Sequence, residues 1–307
     1  MRISKKTGGT LCLLLTSVIW GLAFVAQRVG MDYLGPFTFN GARFALGGLS
    51  LVPLIFILER KNTDAETSRR SILLGLGAGL ILFAASSLQQ IGIEITGSAG
   101  KSGFITGLYT VLVPIIGIFM GKKTRPLTWL GAALAVAGLY FLSVLGGNEG
   151  GASGFGLGYA LLIAGSVFWA LHILYVDYSA AKGIAPLRFS IAQFLVCSAL
   201  SMASAFIFED VRMANILAGY APLLYGGLAS VGVAYTLQIF GQRYVEPAKA
   251  AIIFSLEALF GAVGGALLLG ERMRPLGYLG CGMIFCGIIV SQASGLGKRR
   301  KREGVRL

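Results

Sequence analysis

Ten apolar stretches, each about 20 residues long, make up most of this sequence. A helix needs roughly 20 apolar residues to cross the ~30 Å hydrocarbon core of a bilayer, so each stretch is predicted to be a transmembrane helix. The connections between them are too short to fold as soluble domains, and any function is expected within the helix bundle. The predicted spans are residues 10–30, 36–58, 71–93, 98–120, 127–145, 156–178, 187–208, 220–241, 247–269 and 275–293.

The composition supports an integral membrane protein. Charged residues are 13% of the chain, against roughly 25% in a typical soluble domain, and the mean hydropathy is +0.77. The net charge of +13 would suggest a nucleic-acid partner in a soluble protein. In a membrane protein the same charge is typical of the cytoplasmic ends of the spans, so we expect no nucleic-acid partner.

The distribution of Lys and Arg predicts the orientation. With the N-terminus inside, the cytoplasmic segments carry twenty basic residues and the outer segments carry five. Because Lys and Arg concentrate in cytoplasmic loops, both termini are predicted to lie in the cytoplasm. The basic tail, residues 294–307, is expected to meet the anionic lipids of the inner leaflet.

The chain is interpreted as a duplication. At an offset of 149 residues, the segment SVIW at 17–20 aligns with SVFW at 166–169, and RPL at 125–127 aligns with RPL at 274–276. Each copy holds five spans, an odd number, so the second copy must enter the membrane upside down. The prediction is an all-α membrane protein of two inverted five-helix repeats, 1–145 and 156–293, the design of many secondary transporters.

These segments resemble the ten-helix EamA-type transporters of the drug/metabolite transporter superfamily. The likeness rests on the paired Ser-Val-x-Trp segments that end at Trp20 and Trp169, and on Ser255-Leu256-Glu257 followed by Leu-Gly-Glu at 269–271. Such transporters often have proline after the glutamate, where this chain has Ala258. The resemblance implies a carrier in the bacterial cytoplasmic (inner) membrane, usually an exporter of amino acids, related metabolites or drugs. It implies a small-molecule substrate without naming one.

Aromatic and polar residues at mid-depth are the candidates for a substrate cavity. Trp usually lies at the membrane interfaces, so two tryptophans at mid-depth indicate either rings that line a cavity or tight core packing. The single histidine is either a titrating group or a neutral, hydrogen-bonded one. The cavity candidates are Trp20, Phe24, Thr106, Tyr109, Trp169, His172, Tyr235 and Gln238.

Three further residues have candidate roles in coupling and gating. Glu257 lies about ten residues, or ~15 Å, into the ninth span, and a carboxyl at that depth carries a free-energy cost. Its role is either functional, as a proton-coupling or substrate-amine site, or structural, as a protonated or hydrogen-bonded carboxyl at a helix crossing. Gln89 and Gln238 are counterparts at the 149-residue offset. The inversion places one toward each leaflet, which favours two gates over one site.

Two other classes of function are weaker alternatives. A membrane-embedded enzyme is disfavoured because the sequence has no Walker A, HExxH or GxSxG motif, so we expect neither catalytic residues nor a cofactor. The four cysteines form no ligand spacing and predict packing, not a metal site. A purely structural membrane protein is the other alternative. The substrate, the coupling ion and the oligomeric state are left open.

Overall fold

The computed structural model describes residues 4–59, 63–97, 99–145, 156–269 and 274–293, and the regular elements in these ranges are helices. The predicted basic tail at 294–307 and the connection at 146–155 lie outside the described residues. The α-helices are α1 (Lys5–Gly30), α2 (Pro36–Leu54), α3 (Ala65–Thr96), α4 (Ala99–Thr106), α5 (Tyr109–Phe119), α6 (Pro126–Tyr140), α7 (Leu157–Ala181), α8 (Pro186–Phe208), α9 (Met213–Ala218), α10 (Tyr220–Leu224), α11 (Thr236–Gln242), α12 (Pro247–Phe254), α13 (Leu256–Leu269) and α14 (Pro275–Ala293).

The helices have the length and composition of membrane spans. In the described ranges, eight helical segments are long and apolar enough to cross a bilayer. Two further apolar helices are shorter, Pro126–Tyr140 and Pro275–Ser291. The described part of the chain is thus all helical and has the segments of a multi-pass membrane protein, as the sequence predicts, and the number of ten spans stays a prediction.

Proline sets the start of half of the predicted spans. It is the first residue of α2, α6, α8, α12 and α14. At that position the missing N–H costs nothing, because the first N–H groups of a helix have no partner within it, and the fixed φ angle suits the helix. These five starts therefore fall within one residue of the boundaries predicted from the sequence.

Two glutamates hold α2 and α8 side by side in opposite directions. Glu209, just after α8, accepts hydrogen bonds from the backbone N–H groups of Phe37 (2.7 Å) and Thr38 (2.8 Å) at the start of α2. Glu59, in the π-helical turn that continues α2, accepts one from the N–H of Leu187 (2.7 Å) at the start of α8. A carboxylate at a helix N-terminus satisfies free N–H groups and complements the helix dipole. Each helix of the pair is thus capped by a carboxylate from the end of the other.

Glycine allows α6 and α14 to touch backbone to backbone. A Cβ atom added at Gly131 would lie 2.6 Å from the carbonyl oxygen of Gly287, and one added at Gly138 would lie 2.6 Å from that of Gly280. Both distances are far below a van der Waals contact, so only glycine fits. The two contacts run in opposite order along the two helices, which are therefore antiparallel. Small residues at such contacts are the usual basis of helix association in lipid.

Two spans predicted to be continuous are interrupted. The span predicted at 98–120 breaks between α4 and α5 at Gly107 and Leu108, and the span predicted at 247–269 breaks between α12 and α13 at Ser255. The hydroxyl of Ser255 donates to the carbonyl oxygen of Ile252 at 2.6 Å, and a serine that bonds back to its own helix competes with the regular pattern. The break at Ser255 therefore forms although the residue after Glu257 is Ala258 and not proline.

The glutamate caps lead to a stability prediction. Glu59→Ala removes the acceptor at the start of α8 and is expected to lower the free energy of unfolding by about 2 kcal/mol. The measurement is unfolding of the purified protein by SDS in mixed micelles. Glu66→Ala is the matched control, because the carboxylate of Glu66 lies in an exposed ion pair with Arg70. An equal effect of the two substitutions would contradict the capping role.

A candidate substrate cavity

Aromatic rings from several helices meet in the middle of the bundle. Trp20 on α1 lies 4.8 Å from Tyr235, 5.2 Å from Phe254 on α12 and 6.5 Å from Trp169 on α7, measured between ring centroids. Such distances are typical of edge-to-face and tilted aromatic pairs. The two tryptophans that correspond in the duplicated sequence are therefore neighbours in one cluster.

A cavity of about 40 Å³ lies beside these rings. That volume holds about three water molecules, at the 10–15 Å³ that each requires. The wall combines apolar and aromatic side chains with seven polar ones. The lining residues are Trp20, Phe24, Gln27, Arg43, Gln89, Thr106, Tyr109, Trp169, Ile173, Ser230, Tyr235, Gln238 and Glu257.

The structure brings most of the candidate residues together. Seven of the eight cavity candidates are in the lining, and Glu257 joins them. His172 is the exception. It lies edge-on to the ring of Trp169, at 6.0 Å between centroids, and its Nε2 is 3.0 Å from the side-chain oxygen of Gln193. Because His172 is outside the cavity lining and bonds to Gln193, the structure favours a hydrogen-bonded histidine over one that contacts a substrate.

The two gate candidates border the same cavity. Gln89 donates a hydrogen bond to the hydroxyl of Thr106 at 3.3 Å, and Gln238 donates to Gln242 at 2.8 Å. Both glutamines are in the lining, although the inversion led us to expect two separated positions. Their role as gates stays a prediction. Because both line one cavity, the prediction becomes that two gates close on a single site.

Four lining residues were not among the candidates: Gln27, Arg43, Ile173 and Ser230. Arg43 carried the clearest signal, since a charged residue inside a predicted span is functional by default. It is 2% exposed. Ser230 also accepts a hydrogen bond from Trp20 through its backbone carbonyl, a contact that the sequence alone does not reveal.

A π-helical segment, Tyr225–Tyr235, connects α10 with α11 and forms one wall of the cavity. Two of its carbonyl oxygens accept hydrogen bonds from side chains of α1. The indole N–H of Trp20 donates to the carbonyl of Ser230 at 3.3 Å, and the hydroxyl of Thr16 donates to that of Ala234 at 3.1 Å. Segments of π-helix are frequent at functional sites, and this one orients Trp20.

Glu257 forms its hydrogen bond across two interrupted helices. The hydroxyl of Tyr109, the first residue of α5, donates to its carboxylate at 2.8 Å. Glu257 is the second residue of α13, directly after the break at Ser255. Both side chains are buried. The two breaks thus place an acidic and a phenolic group together in the cavity wall.

A second, larger space, which we call the vestibule, lies next to the cavity. It has a volume of about 410 Å³. Gln242 lines the vestibule, accepts from Gln238 in the cavity wall, and donates to the carbonyl of Ile173 at 2.9 Å. These hydrogen bonds join the linings of the two spaces, because Gln238 and Ile173 line the cavity and Gln242 lines the vestibule. Lys122 and Asp177, which form an ion pair, also line the vestibule.

Comparison with known proteins identifies the family. The model of the EamA-like transporter family matches residues 7–144 and 156–292. The chain belongs to this family. Within the described residues, no group of three His, Cys, Asp or Glu side chains comes together in a way that could hold a metal ion.

Relatives of this EamA-like transporter are named as transporters. An uncharacterised transporter of Archaeoglobus fulgidus is 30% identical over 292 residues, 93% of this chain and 86% of that protein. A probable amino-acid metabolite efflux pump of Escherichia coli is 27% identical over 304 residues, 94% and 95% of the two chains. The inner membrane transporter YedA of Escherichia coli is 23% identical over 273 residues, 89% and 87% of the two chains.

A solved crystal structure has the same fold. It superposes with a TM-score of 0.75 and covers 95% of this chain and 98% of its own, at 18% sequence identity. The family match and this superposition together extend over nearly the whole chain. The resemblance deduced from the paired tryptophans and the Glu257 segment is thereby confirmed.

Proposed function

We propose that this chain is a secondary carrier that exports small metabolites, amino acids among them, across the inner membrane by alternating access. The observation that carries the proposal is the central cavity, where an aromatic wall from both halves of the chain surrounds a few buried polar groups. Mainly apolar walls with a few placed polar groups are typical of small-molecule sites. The names of the efflux pump and of YedA agree with export and with the inner membrane.

The proposed architecture is ten spans in two inverted repeats, 1–145 and 156–293. Reciprocal contacts support it. Residues 131 and 280 correspond at the 149-residue offset, as do 138 and 287, and the contacts pair Gly131 with Gly287 and Gly138 with Gly280. The caps from Glu59 and Glu209 exchange in the same way at an offset of 150. Exchanged pairs of this kind are characteristic of a two-fold axis between similar units.

Alternating access accounts for the small volume of the cavity. About 40 Å³ is well below the ~300–1,000 Å³ of an occupied small-molecule site, whereas the vestibule has about 410 Å³. The aromatic rings must therefore move apart when substrate enters. In this mechanism the hydrogen bonds of Gln238 and Gln242 open toward the vestibule, and Gln89 serves the opposite side.

Glu257 is the proposed coupling residue. Its carboxylate lies in the cavity wall with Tyr109 as its hydrogen-bond donor. A buried carboxylate is stabilised by an opposite charge, and either a proton or the ammonium group of a substrate can neutralise it. Binding one in place of the other ties proton movement to substrate movement.

The alternatives have less support. An enzyme would require a reacting group with a positioned partner, and the relatives described above are named as transporters or efflux pumps. A purely structural protein does not explain why an arginine and a glutamate are buried in one cavity, because burying each of them at that depth costs free energy. We therefore propose a carrier without enzymatic activity or cofactor.

The first prediction of the proposed function concerns orientation. In a background without the native cysteines, a cysteine at Asn148 should react with a membrane-impermeant thiol reagent in intact cells. A cysteine at Asn62 should react only after the cells are opened. This outcome follows from the excess of cytoplasmic Lys and Arg, and the reverse pattern would show the opposite orientation.

The second prediction tests the carrier function itself. Purified protein in liposomes loaded with a cytosolic small-molecule extract should release a subset of compounds chemically unchanged, as measured by mass spectrometry. Trp20→Ala and Trp169→Ala should each slow that release on the order of tenfold, because each removes a large aromatic contact surface.

Trp129→Ala is the control for these substitutions. Trp129 is the remaining tryptophan of the chain, and it lies on α6 outside the cavity lining. Its replacement should leave release near the wild-type rate. Release of no compound by the wild-type protein would refute the carrier function, and equal losses in all three variants would indicate packing.

The third prediction concerns coupling. Glu257→Gln retains the size of the side chain and an oxygen that accepts from Tyr109, but it does not titrate. At saturating substrate this variant should still exchange substrate across the liposome membrane and should no longer concentrate it under an imposed proton gradient. Gradient-driven accumulation at the wild-type level would exclude proton coupling at this residue.

A further inference from the structure

Arg43 is a buried cation without a matching anion. It lies on α2, is 2% exposed and lines the central cavity. Across the described ranges, no carboxylate comes within ion-pair distance of it. The guanidinium of arginine keeps its proton in proteins, and a buried charge without a partner is strongly unfavourable. Within the described residues, the acidic side chain that shares the cavity, Glu257, forms no ion pair with Arg43, so the guanidinium is left able to bind an anion from outside the chain.

The surroundings of Arg43 fix one edge of its guanidinium and leave the other free. Its Nε donates to the side-chain oxygen of Asn40 at 2.9 Å, and Asn40 in turn donates to the carbonyl of Ser86 at 3.1 Å. The rings of Phe39 and Phe44 lie 5.5 Å and 4.9 Å from the guanidinium carbon. These contacts hold the group in place but carry no negative charge. Among the described residues, its two terminal NH₂ groups have no hydrogen-bond partner.

The second half of the chain shows that this helix position does not need a charge. At the offset of 150 that relates Phe39 and Phe44 to Phe189 and Phe194, the counterpart of Arg43 is Gln193. Gln193 is fully buried, pairs with His172, and is absent from the lining of the central cavity. The same local fold thus forms around a neutral amide. The packing of α2 therefore does not require a charge at position 43, and we assign the charge of Arg43 to a role in the cavity.

We propose that Arg43 binds the carboxylate of the transported substrate, so that the cavity selects zwitterions that also carry an ammonium group. This inference rests on the proposed carrier function and adds the class of substrate. The free edge of a guanidinium matches a carboxylate with two parallel hydrogen bonds. Glu257 lines the same cavity and supplies the opposite charge.

The two charges together explain the selection. A simple amine would leave Arg43 unpaired, and a simple carboxylic acid has no ammonium group to take the place of the proton on Glu257. A zwitterion of the amino-acid type pairs its carboxylate with Arg43 and its ammonium group with Glu257. The aromatic wall formed by Trp20, Tyr235 and Trp169 is then available to the side chain of the substrate.

The test uses three compounds with one ring in common. They are L-phenylalanine, L-phenylalaninamide, in which the carboxylate is blocked, and N-acetyl-L-phenylalanine, in which the amine is blocked. Binding to the purified full-length protein is measured by the change in tryptophan fluorescence. The wild-type protein should bind L-phenylalanine, and each blocked compound should bind roughly tenfold more weakly or worse, as expected when a charge-assisted hydrogen bond is lost.

Three variants assign the effect to residues. Arg43→Gln, which copies the residue of the second half, should bind L-phenylalanine and its amide equally. Glu257→Gln should instead lose the distinction between L-phenylalanine and the N-acetyl compound. Arg28→Gln is the control, because Arg28 pairs with Asp32 and lies outside the cavity lining, and it should keep the wild-type pattern. If Arg43→Gln does not purify as a folded protein, Arg43→Lys should bind L-phenylalanine more weakly and still prefer it to the amide.

Other results would overturn the inference. These are equal binding of L-phenylalanine and its amide by the wild-type protein, an unchanged preference in Arg43→Gln, loss of that preference in Arg43→Lys, or binding of none of the three compounds. The liposome experiment separates this failure from failure of the carrier function. Release of compounds that carry only an amine would refute the role of Arg43 and leave the carrier intact, whereas release of nothing would refute the carrier.

Discussion

The exchange of contacts between the two halves is the constraint on which the rest of the structure depends. In lipid, burial of apolar surface does not drive helices together, and close backbone packing and hydrogen bonds must do so. Here glycine pairs join α6 to α14, and carboxylates join each end of α2 to α8. Because these contacts fix both ends of α2, they also fix the depth of Arg43 and the aromatic residues around it.

Departures from regular helix create the polar part of the cavity. A regular helix uses its own backbone groups and presents only side chains, which is why it is the usual structure in a bilayer. Three segments depart from the regular helix in one region of the bundle. They are the breaks before Tyr109 and Glu257 and the π-helical segment before Thr236. Non-helical backbone is tolerated at membrane depth where it is buried in protein, and these three segments all border the central cavity.

Much of the cavity was predictable because short segments of the sequence recur at an offset of 149 residues. Paired tryptophans at mid-depth and a lone carboxyl in the ninth span identified Trp20, Trp169 and Glu257 without any coordinates. The same reasoning missed Arg43 as a cavity residue, since Lys and Arg served only to orient the loops and Arg43 lies inside the second predicted span. It also included His172, because a shared helix face does not tell which of its residues reaches the cavity and which stops at a neighbouring glutamine.

The breaks at Gly107 and Ser255 and the closeness of Gln89 and Gln238 could not be read from the sequence. Both breaks depend on local hydrogen bonding within apolar stretches whose sequences predict continuous helices. The two glutamines come from different halves, and the distance between them depends on how those halves cross. Such crossing geometry follows from the glycine contacts and helix caps, whose partners are distant in sequence.

The exchanged helix caps have a consequence for the order of assembly during synthesis. The start of α2 is made early, but its carboxylate, Glu209, lies about 170 residues further along the chain. Until that segment has entered the membrane, the first N–H groups of α2 must be satisfied by water or lipid headgroups. The first half of the protein is therefore an incomplete structure on its own, and the ribosome must deliver the second half as far as Glu209 before α2 reaches its final form.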